Sequence, residues 1–234
     1  SWPLVKKMVR KYLGNNPEIV FDTFAAQSKN AASIGQVHQA TKDGKKLAVK
    51  IIRDNSEEFI EQLRENLIIE ARVGGMLRHP NIVETFELGE QDGQFFIAME
   101  FIDGVTLCKI MKQWKEIPAQ ACIDIIGQIC LGLSHIHKVP NVNLVHCDIK
   151  PSNILIDRYG IIKIADLGLS SSTINRSKNI RGTPGYMSPE QASRQEIDGR
   201  ADLFSVGIIF VELLTGESFF PGLNNWQLIS QTNH

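Results

Sequence analysis

The chain has few of the residues that would make it disulfide-held, zinc-held or membrane-spanning. Its four cysteines, Cys108, Cys122, Cys130 and Cys147, include no Cys-x-x-Cys pair and no zinc-ligand spacing. That excludes a disulfide framework and a structural zinc site, and it suits reduced thiols in the cytoplasm. Long runs of one charge sign are missing, and 25 Lys+Arg against 26 Asp+Glu leave a formal net charge of −1. No general attraction to polyanions follows, and no nucleic-acid partner is expected. The longest apolar run, near Phe204 to Leu214, is interrupted by Ser205, Gly207 and Glu212. It is shorter than the roughly 20 residues a spanning helix needs, so it reads as a buried helix and no transmembrane segment is expected. No signal-peptide pattern is visible at the start. With 43% hydrophobic residues in 234, the chain can bury a substantial core, as one large domain or as two packed lobes.

The most informative stretch present runs from Val145 to Asn153, Val-His-Cys-Asp-Ile-Lys-Pro-Ser-Asn, and Asp166-Leu167-Gly168 follows it. Asp148, Lys150 two residues on and Asn153 five residues on put a proton acceptor, a phosphate-reaching cation and a metal-ligand amide on one short loop. Phosphoryl transfer asks for those groups. Ile154-Leu155-Ile156 and Ile161-Ile162-Lys163-Ile164-Ala165 read as short strands about a turn at Arg158-Tyr159-Gly160, so Asp166 and Asn153 are expected at one metal site. The stretch resembles the catalytic loop and Asp-Phe-Gly segment of protein kinases, with Cys147 where most have Arg and Leu167 where most have Phe.

The resemblance implies an α+β fold of two lobes. An antiparallel sheet with one helix, preceded by an N-terminal extension, would occupy 1–102, and a mainly helical lobe 103–234. A complete kinase continues through further helices, so the kinase domain is expected to be incomplete at its C-terminus, with apolar surface exposed near Phe219, Phe220 and Trp226. Along the chain, Trp2 to Leu13 is a basic amphipathic helix read as docked on its own domain. Glu18 to Ile51 reads as strand, turn and strand about Lys42-Asp43-Gly44-Lys45. Only Gly35 remains of the three glycines in Gly-x-Gly-x-x-Gly-x-Val, with Asn30 and Ala32 at the other two positions. The phrase Ala31-Ala32-Ser33-Ile34-Gly35-Gln36-Val37-His38 resembles the nucleotide loop of UbiB-type atypical kinases. If Ala32 takes a glycine-like backbone angle, strain of about 1 kcal/mol and altered nucleotide affinity are expected.

Lys50 ends a buried apolar strand, where a lysine is costly without a partner. Glu70, on a charged helix from about Glu57 to Leu77, is the natural one, and in kinases such a lysine holds nucleotide phosphates. Gly74 and Gly75 cost that helix up to about 2 kcal/mol relative to alanine, which predicts a loosely held helix awaiting a partner. A second hairpin, Val83 to Leu88 with Gln94 to Phe101, leads to Met99-Glu100-Phe101-Ile102. By the resemblance, Glu100 and Ile102 offer backbone groups to adenine, Met99 guards the inner pocket, and Val37, Ala48 and Leu155 sandwich the base; Ala32, Ser33 and Gly35 belong to the phosphate loop. Pro118 to His137 reads as a support helix with Ile123, Ile126, Cys130 and Leu133 inward.

Ser170 to Lys178 reads as a mobile, phosphorylatable segment, and Gly182-Thr183-Pro184-Gly185-Tyr186-Met187-Ser188-Pro189-Glu190 resembles the substrate-docking loop of Ser/Thr kinases, with Thr183, Gly185 and Tyr186 as docking residues. Asp202 is read either as a brace for the catalytic loop backbone or as a helix cap. Because Cys147 cannot clamp a phosphorylated segment, phosphorylation between Ser170 and Ser177 is expected to be inessential. The resemblance thus implies a bacterial-like Ser/Thr protein kinase using ATP and Mg2+ on a protein substrate. A regulatory partner is expected at the Glu70 helix or on the exposed C-lobe. Two other readings stand beside it: a nucleotide-binding pseudokinase or scaffold, and a UbiB-like kinase or ATPase acting on a small molecule.

Overall fold

Asp43 (φ 53°) and Gly44 (φ 71°) both adopt left-handed backbone, the pair of angles that a two-residue hairpin turn needs to match the twist of its strands. That turn joins β3 (Gly35–Lys42) to β4 (Lys45–Ile52). The computed structural model describes residues 23–24, 30–32, 35–52, 77–91, 94–114, 116–140, 144–167, 171–172 and 182–220. The chain divides into two compact units, Ser1–Ala71 with Glu84–Ile102, and Arg72–Val83 with Asp103–His234.

The first unit holds an antiparallel six-stranded sheet. Besides β3 and β4 it contains β1 (Thr23–Phe24), β2 (Asn30–Ala32), β5 (Thr85–Gln91) and β6 (Gln94–Glu100), in the order β1-β3-β4-β6-β5 with β2 also on β3. The hairpin expected at the end of this unit is β5–β6, with a register shift between Thr85 and Glu87. In β4, Leu47, Ala48, Val49 and Lys50 are all buried, an unbroken run that fits a central strand between two neighbours. Ala32 ends β2 as extended strand paired with Gly35, so the glycine-like backbone considered for it is not used.

In the second unit, β7 (Gly104–Thr106), β9 (Ile154–Asp157) and β10 (Ile162–Ile164) form a small antiparallel sheet, and β8 (Leu144–Val145) pairs with β11 (Ser171–Ser172). Thr106 caps α1 (Leu107–Gln113) by accepting from the Lys109 N–H. The long helix α2 (Ala119–His137) buries Cys122, Ile129, Leu133 and Ile136. Its inward face therefore differs from the one read from spacing: Ile123 is exposed, and Ile126 and Cys130 are only half-buried. Apolar residues surround much of α2, so the contacts with α4 (Gly199–Thr215), β8 and β10 choose the face. By length and composition α2 is also the one helix among the described residues long and apolar enough to cross a membrane. A core helix meets the same test, and α2 packs against β8 and β10 and the helix Gly199–Thr215.

A short helix α3 (Pro189–Ala192) precedes α4 (Gly199–Thr215), which ends at Gly216 in left-handed conformation. Asp198 caps α4 through the Arg200 N–H, while Asp202 lies within the first turn. Of the residues near which apolar surface is expected, Phe219 is exposed, Phe220 is half-buried and Trp226 lies outside the described residues; Leu203, Val211 and Leu214 on α4 are exposed as well. The stretches expected to form an N-terminal helix and a helix carrying Glu70, Gly74 and Gly75, and most of the segment from Ser170 to Lys178, also lie outside the described residues.

Candidate active site

The loop between β8 and β9 is held by side chains that reach its backbone. Asp202, 1% exposed, accepts from the His146 N–H through Oδ2 and from the Cys147 N–H through Oδ1, each at 2.9 Å. His137 Nε2 donates to the same Oδ2 at 2.7 Å. Asp202 is thus the brace, and the cap at the helix start is Asp198. His146 fastens the loop internally: its Nδ1 accepts from the Asp148 N–H at 3.3 Å and its Nε2 meets the Ala165 carbonyl at 3.1 Å. This pairing suits the neutral ring with its proton on Nε2. Pro151–Asn153 forms one tight 3-10 turn, closed by the Asn153 N–H on the Lys150 carbonyl at 2.9 Å.

Asp148, 4% exposed, is the focus of the loop's side chains. Its Oδ1 accepts from Thr183 Oγ1 at 2.7 Å, and its Oδ2 takes Lys150 Nζ at 2.8 Å and Asn153 Nδ2 at 3.1 Å. Lys150 Nζ also donates to Thr183 Oγ1 at 2.7 Å. A carboxylate offers about four lone-pair sites and an ammonium three donors. Both groups therefore keep capacity for a further partner after these bonds are made. The structure brings Asp148, Lys150, Asn153 and Thr183 together as one cluster.

Asp166 follows β10, and the Ala165 N–H donates to the Asn153 carbonyl at 2.9 Å, which puts the two expected metal ligands on adjoining segments. Asp166 has φ 70°, a left-handed conformation that aspartate tolerates better than most residues. Asn153 Nδ2 is committed to Asp148, through both its carboxylate and its carbonyl at 2.9 Å, so Oδ1 is the amide atom suited to a cation. An amide oxygen and a carboxylate form a donor set that fits Mg2+.

The residues expected to dock a substrate, Thr183, Gly185 and Tyr186, sit on a turn in which the Tyr186 N–H donates to the Thr183 carbonyl at 3.0 Å and Gly185 has φ 94°. Tyr186 Oη donates to Glu212 Oε2 at 2.9 Å, and its carbonyl accepts from Ser205 Oγ at 2.6 Å. Burial, then the Glu212 charge, pushes the Tyr186 phenol above its ordinary range, so Tyr186 keeps its proton and remains a donor.

Within the first unit, Val37 pairs with Lys50 and Gln39 with Ala48 across β3 and β4, while Ala48 pairs with Met99 and Lys50 with Ile97 across β4 and β6. Directly paired residues share a face, as do residues two apart on a strand. Val37, Ala48, Lys50 and Met99 therefore lie on one face of the sheet. Lys50 is 3% exposed. The Glu100 N–H is taken by the Glu84 carbonyl at 2.8 Å, and Ile102 follows β6 half-buried. Leu155 lies on β9 in the second unit, paired with Lys163 and Thr106. Gly35 pairs with Ala32 and Ile52; Ser33 and Glu70 lie outside the described residues.

Sequence reasoning overlooked His137 and Gln191. Gln191 Nε2 donates to the Cys147 carbonyl at 2.8 Å. Its one sequence signal is the spacing Ser188-x-x-Gln191, which marks a capping box.

Residues 32–234 match the family model described as protein kinase domain. The chain is 38% identical over 185 residues to the serine/threonine-protein kinase PrkC of Bacillus subtilis, a match covering 76% of this chain and 28% of that protein. It is 34% identical over 224 residues to a probable serine/threonine-protein kinase of Clostridium perfringens, covering 92% of this chain and 31% of that protein. With the serine/threonine-protein kinase PknB of Mycobacterium leprae the identity is 32% over 188 residues, covering 75% and 29%. The chain thus spans under a third of the length of these curated relatives. The match over 32–234, most of the chain, means that this protein belongs to the protein kinase domain family.

Proposed function

We propose that the chain carries the catalytic domain of an ATP-dependent Ser/Thr protein kinase that moves the γ-phosphoryl group of ATP onto a protein hydroxyl. The observation that carries this reading is the Asp148 cluster, in which one buried carboxylate meets Thr183, Lys150 and Asn153 while both Asp148 and Lys150 retain capacity for another partner. Asp148 orients the acceptor hydroxyl and takes its proton as the bond from that oxygen to phosphorus forms and the bond to the leaving diphosphate breaks. Lys150 puts its remaining donor on the transferred group and neutralises charge there. Lys50, positioned by Glu70, holds the nucleotide phosphates; Ala32, Ser33 and Gly35 line the phosphate loop, and Val37, Ala48, Met99, Glu100 and Ile102 receive the base. Asn153 and Asp166 would hold Mg2+, which supplies charge neutralisation on the phosphates. Thr183, Gly185 and Tyr186 receive the protein substrate.

The partners and location follow the same reading. The substrate is a protein and not a nucleic acid, and a regulatory partner would dock on the Glu70 helix or on the apolar surface around Leu203, Val211, Leu214 and Phe219. The cysteines are free thiols, which supports a cytoplasmic domain.

The test is transfer of labelled phosphate from ATP to a basic carrier protein, followed by identification of the modified residue type. Phosphoserine and phosphothreonine are expected. Equal incorporation by an Asp148→Asn protein would sink the enzyme reading, and phosphate release with no protein acceptor would favour a small-molecule kinase or an ATPase.

A further inference from the structure

We infer that Gln191 is a positioning residue for the catalytic loop, tying the substrate-docking loop to the peptide group that precedes Asp148. The inference rests on the kinase reading above and adds a residue that reading does not use. Cys147 has φ 66°, a left-handed backbone that a β-carbon disfavours. Such a conformation persists where the surroundings hold it from several sides. Asp202 holds Cys147 by its N–H. Gln191 holds it by its carbonyl, with Nε2 donating at 2.8 Å. That carbonyl lies in one plane with the Asp148 nitrogen, so its direction sets the direction in which Asp148 leaves.

The Gln191 side chain is itself fixed. It is 2% exposed, and its Oε1 accepts from the Ser188 N–H at 3.0 Å while Ser188 Oγ accepts from the Gln191 N–H at 3.4 Å. This capping box starts α3 directly after the docking loop, so the amide is anchored at one end and spends its donor on the catalytic loop at the other. Gly182, at the other end of the docking loop, makes room for the contact. It has φ 115°, and a β-carbon there would lie 2.8 Å from the Cys147 carbonyl oxygen and 3.1 Å from Gln191 Nε2. The docking loop is thus attached twice: Thr183 holds the side chains of Asp148 and Lys150, and Gln191 holds the backbone before Asp148. The side chain of Cys147 has no charge with which to clamp a phosphorylated segment. The Gln191 link needs no modification to form.

Gln191→Glu separates the two ends of the link. Glutamate keeps an oxygen for the Ser188 N–H and is itself a capping-box residue, but it lacks the N–H that holds the Cys147 carbonyl. Steady-state transfer to a peptide should show kcat lowered by at least about tenfold, the cost of a slightly misplaced reacting group, with KM for ATP near wild type and a lower thermal midpoint, because the buried Cys147 carbonyl loses its donor. Gln191→Met fills a similar volume without burying a charge but loses the Ser188 contact as well; it carries the same expectation for kcat and KM, with a further fall in midpoint, and decides the matter if the glutamate protein does not fold. Wild-type kcat in either folded variant overturns the inference. So does a fall in kcat that comes with a higher KM for ATP, because that pattern marks a merely structural side chain. A wild-type chain that transfers nothing removes the kinase reading itself and the inference with it, an outcome distinct from an active wild type that Gln191→Glu leaves unchanged.

Discussion

The loop between β8 and β9 and the first turn of α4 each bury an aspartate, and the two carboxylates are used in opposite ways. Asp202 accepts from the backbone N–H groups of His146 and Cys147 and from the ring of His137. Asp148 accepts from the side chains of Thr183, Lys150 and Asn153. Backbone donors cannot leave without moving the chain, so Asp202 fixes where the loop runs. Side-chain donors can shift as a substrate arrives, so Asp148 can exchange partners. Burial alone therefore does not separate the two acids; the kind of donor around each does.

The largest effect should come from Asp148→Asn, which is expected to slow phosphate transfer by roughly 10²–10⁴, the usual worth of a general base, as read by labelled phosphate on a peptide. Asp202→Ala should act on the fold instead. It leaves two buried backbone N–H groups without their acceptor, at about 1–3 kcal/mol each, a loss that equilibrium denaturation would measure. A comparison that came out reversed, with Asp148→Asn the less stable protein and Asp202→Ala unaffected, would undo the contrast. Thr183→Val removes one donor and one acceptor from the cluster while keeping its shape. Transfer should fall about 10- to 100-fold, in line with hydrogen bonds to charged groups, and Thr183→Ser should restore most of it.

The smallest effect concerns His79, whose ring stacks on His135 with centroids 5.0 Å apart and whose Nδ1 accepts from the Asn81 N–H at 3.1 Å. Burial, then the nearby His135 and Lys163, holds its pKa below the ordinary 6.5. The unfolded chain therefore takes up this proton first, and stability is lost as pH falls below 6.5 toward the lowered folded value. Thermal midpoints measured from about pH 8 to about pH 5 should fall more steeply for wild type than for His79→Gln, which keeps an acceptor for the Asn81 N–H.

What the sequence disclosed depended on how closely physics ties residue type to position. The β3–β4 hairpin was legible because Asp43-Gly44 supplies the left-handed angles that such a turn requires. The clustering of Asp148, Lys150 and Asn153 was legible because residues two and five apart on one short loop can converge, and the structure gathers them with Thr183. The inward face of α2 was not, since Ile123 and Ile129 are equally apolar and only tertiary contact distinguishes them. Asp198 and Asp202 stand one turn apart at the start of the same helix, so composition could not assign cap and brace between them. Gln191 was hidden for another reason. An amide in a capping box looks complete in sequence, and only the fold reveals that its other atom reaches the Cys147 carbonyl.

The most direct test of the account measures phosphate transfer and thermal midpoint together on Asp148→Asn and Asp202→Ala. The account predicts that Asp148→Asn loses transfer with the smaller fall in midpoint, and that Asp202→Ala shows the larger fall. Transfer at the wild-type rate by Asp148→Asn, or a midpoint for Asp202→Ala no lower than that of Asp148→Asn, would contradict it.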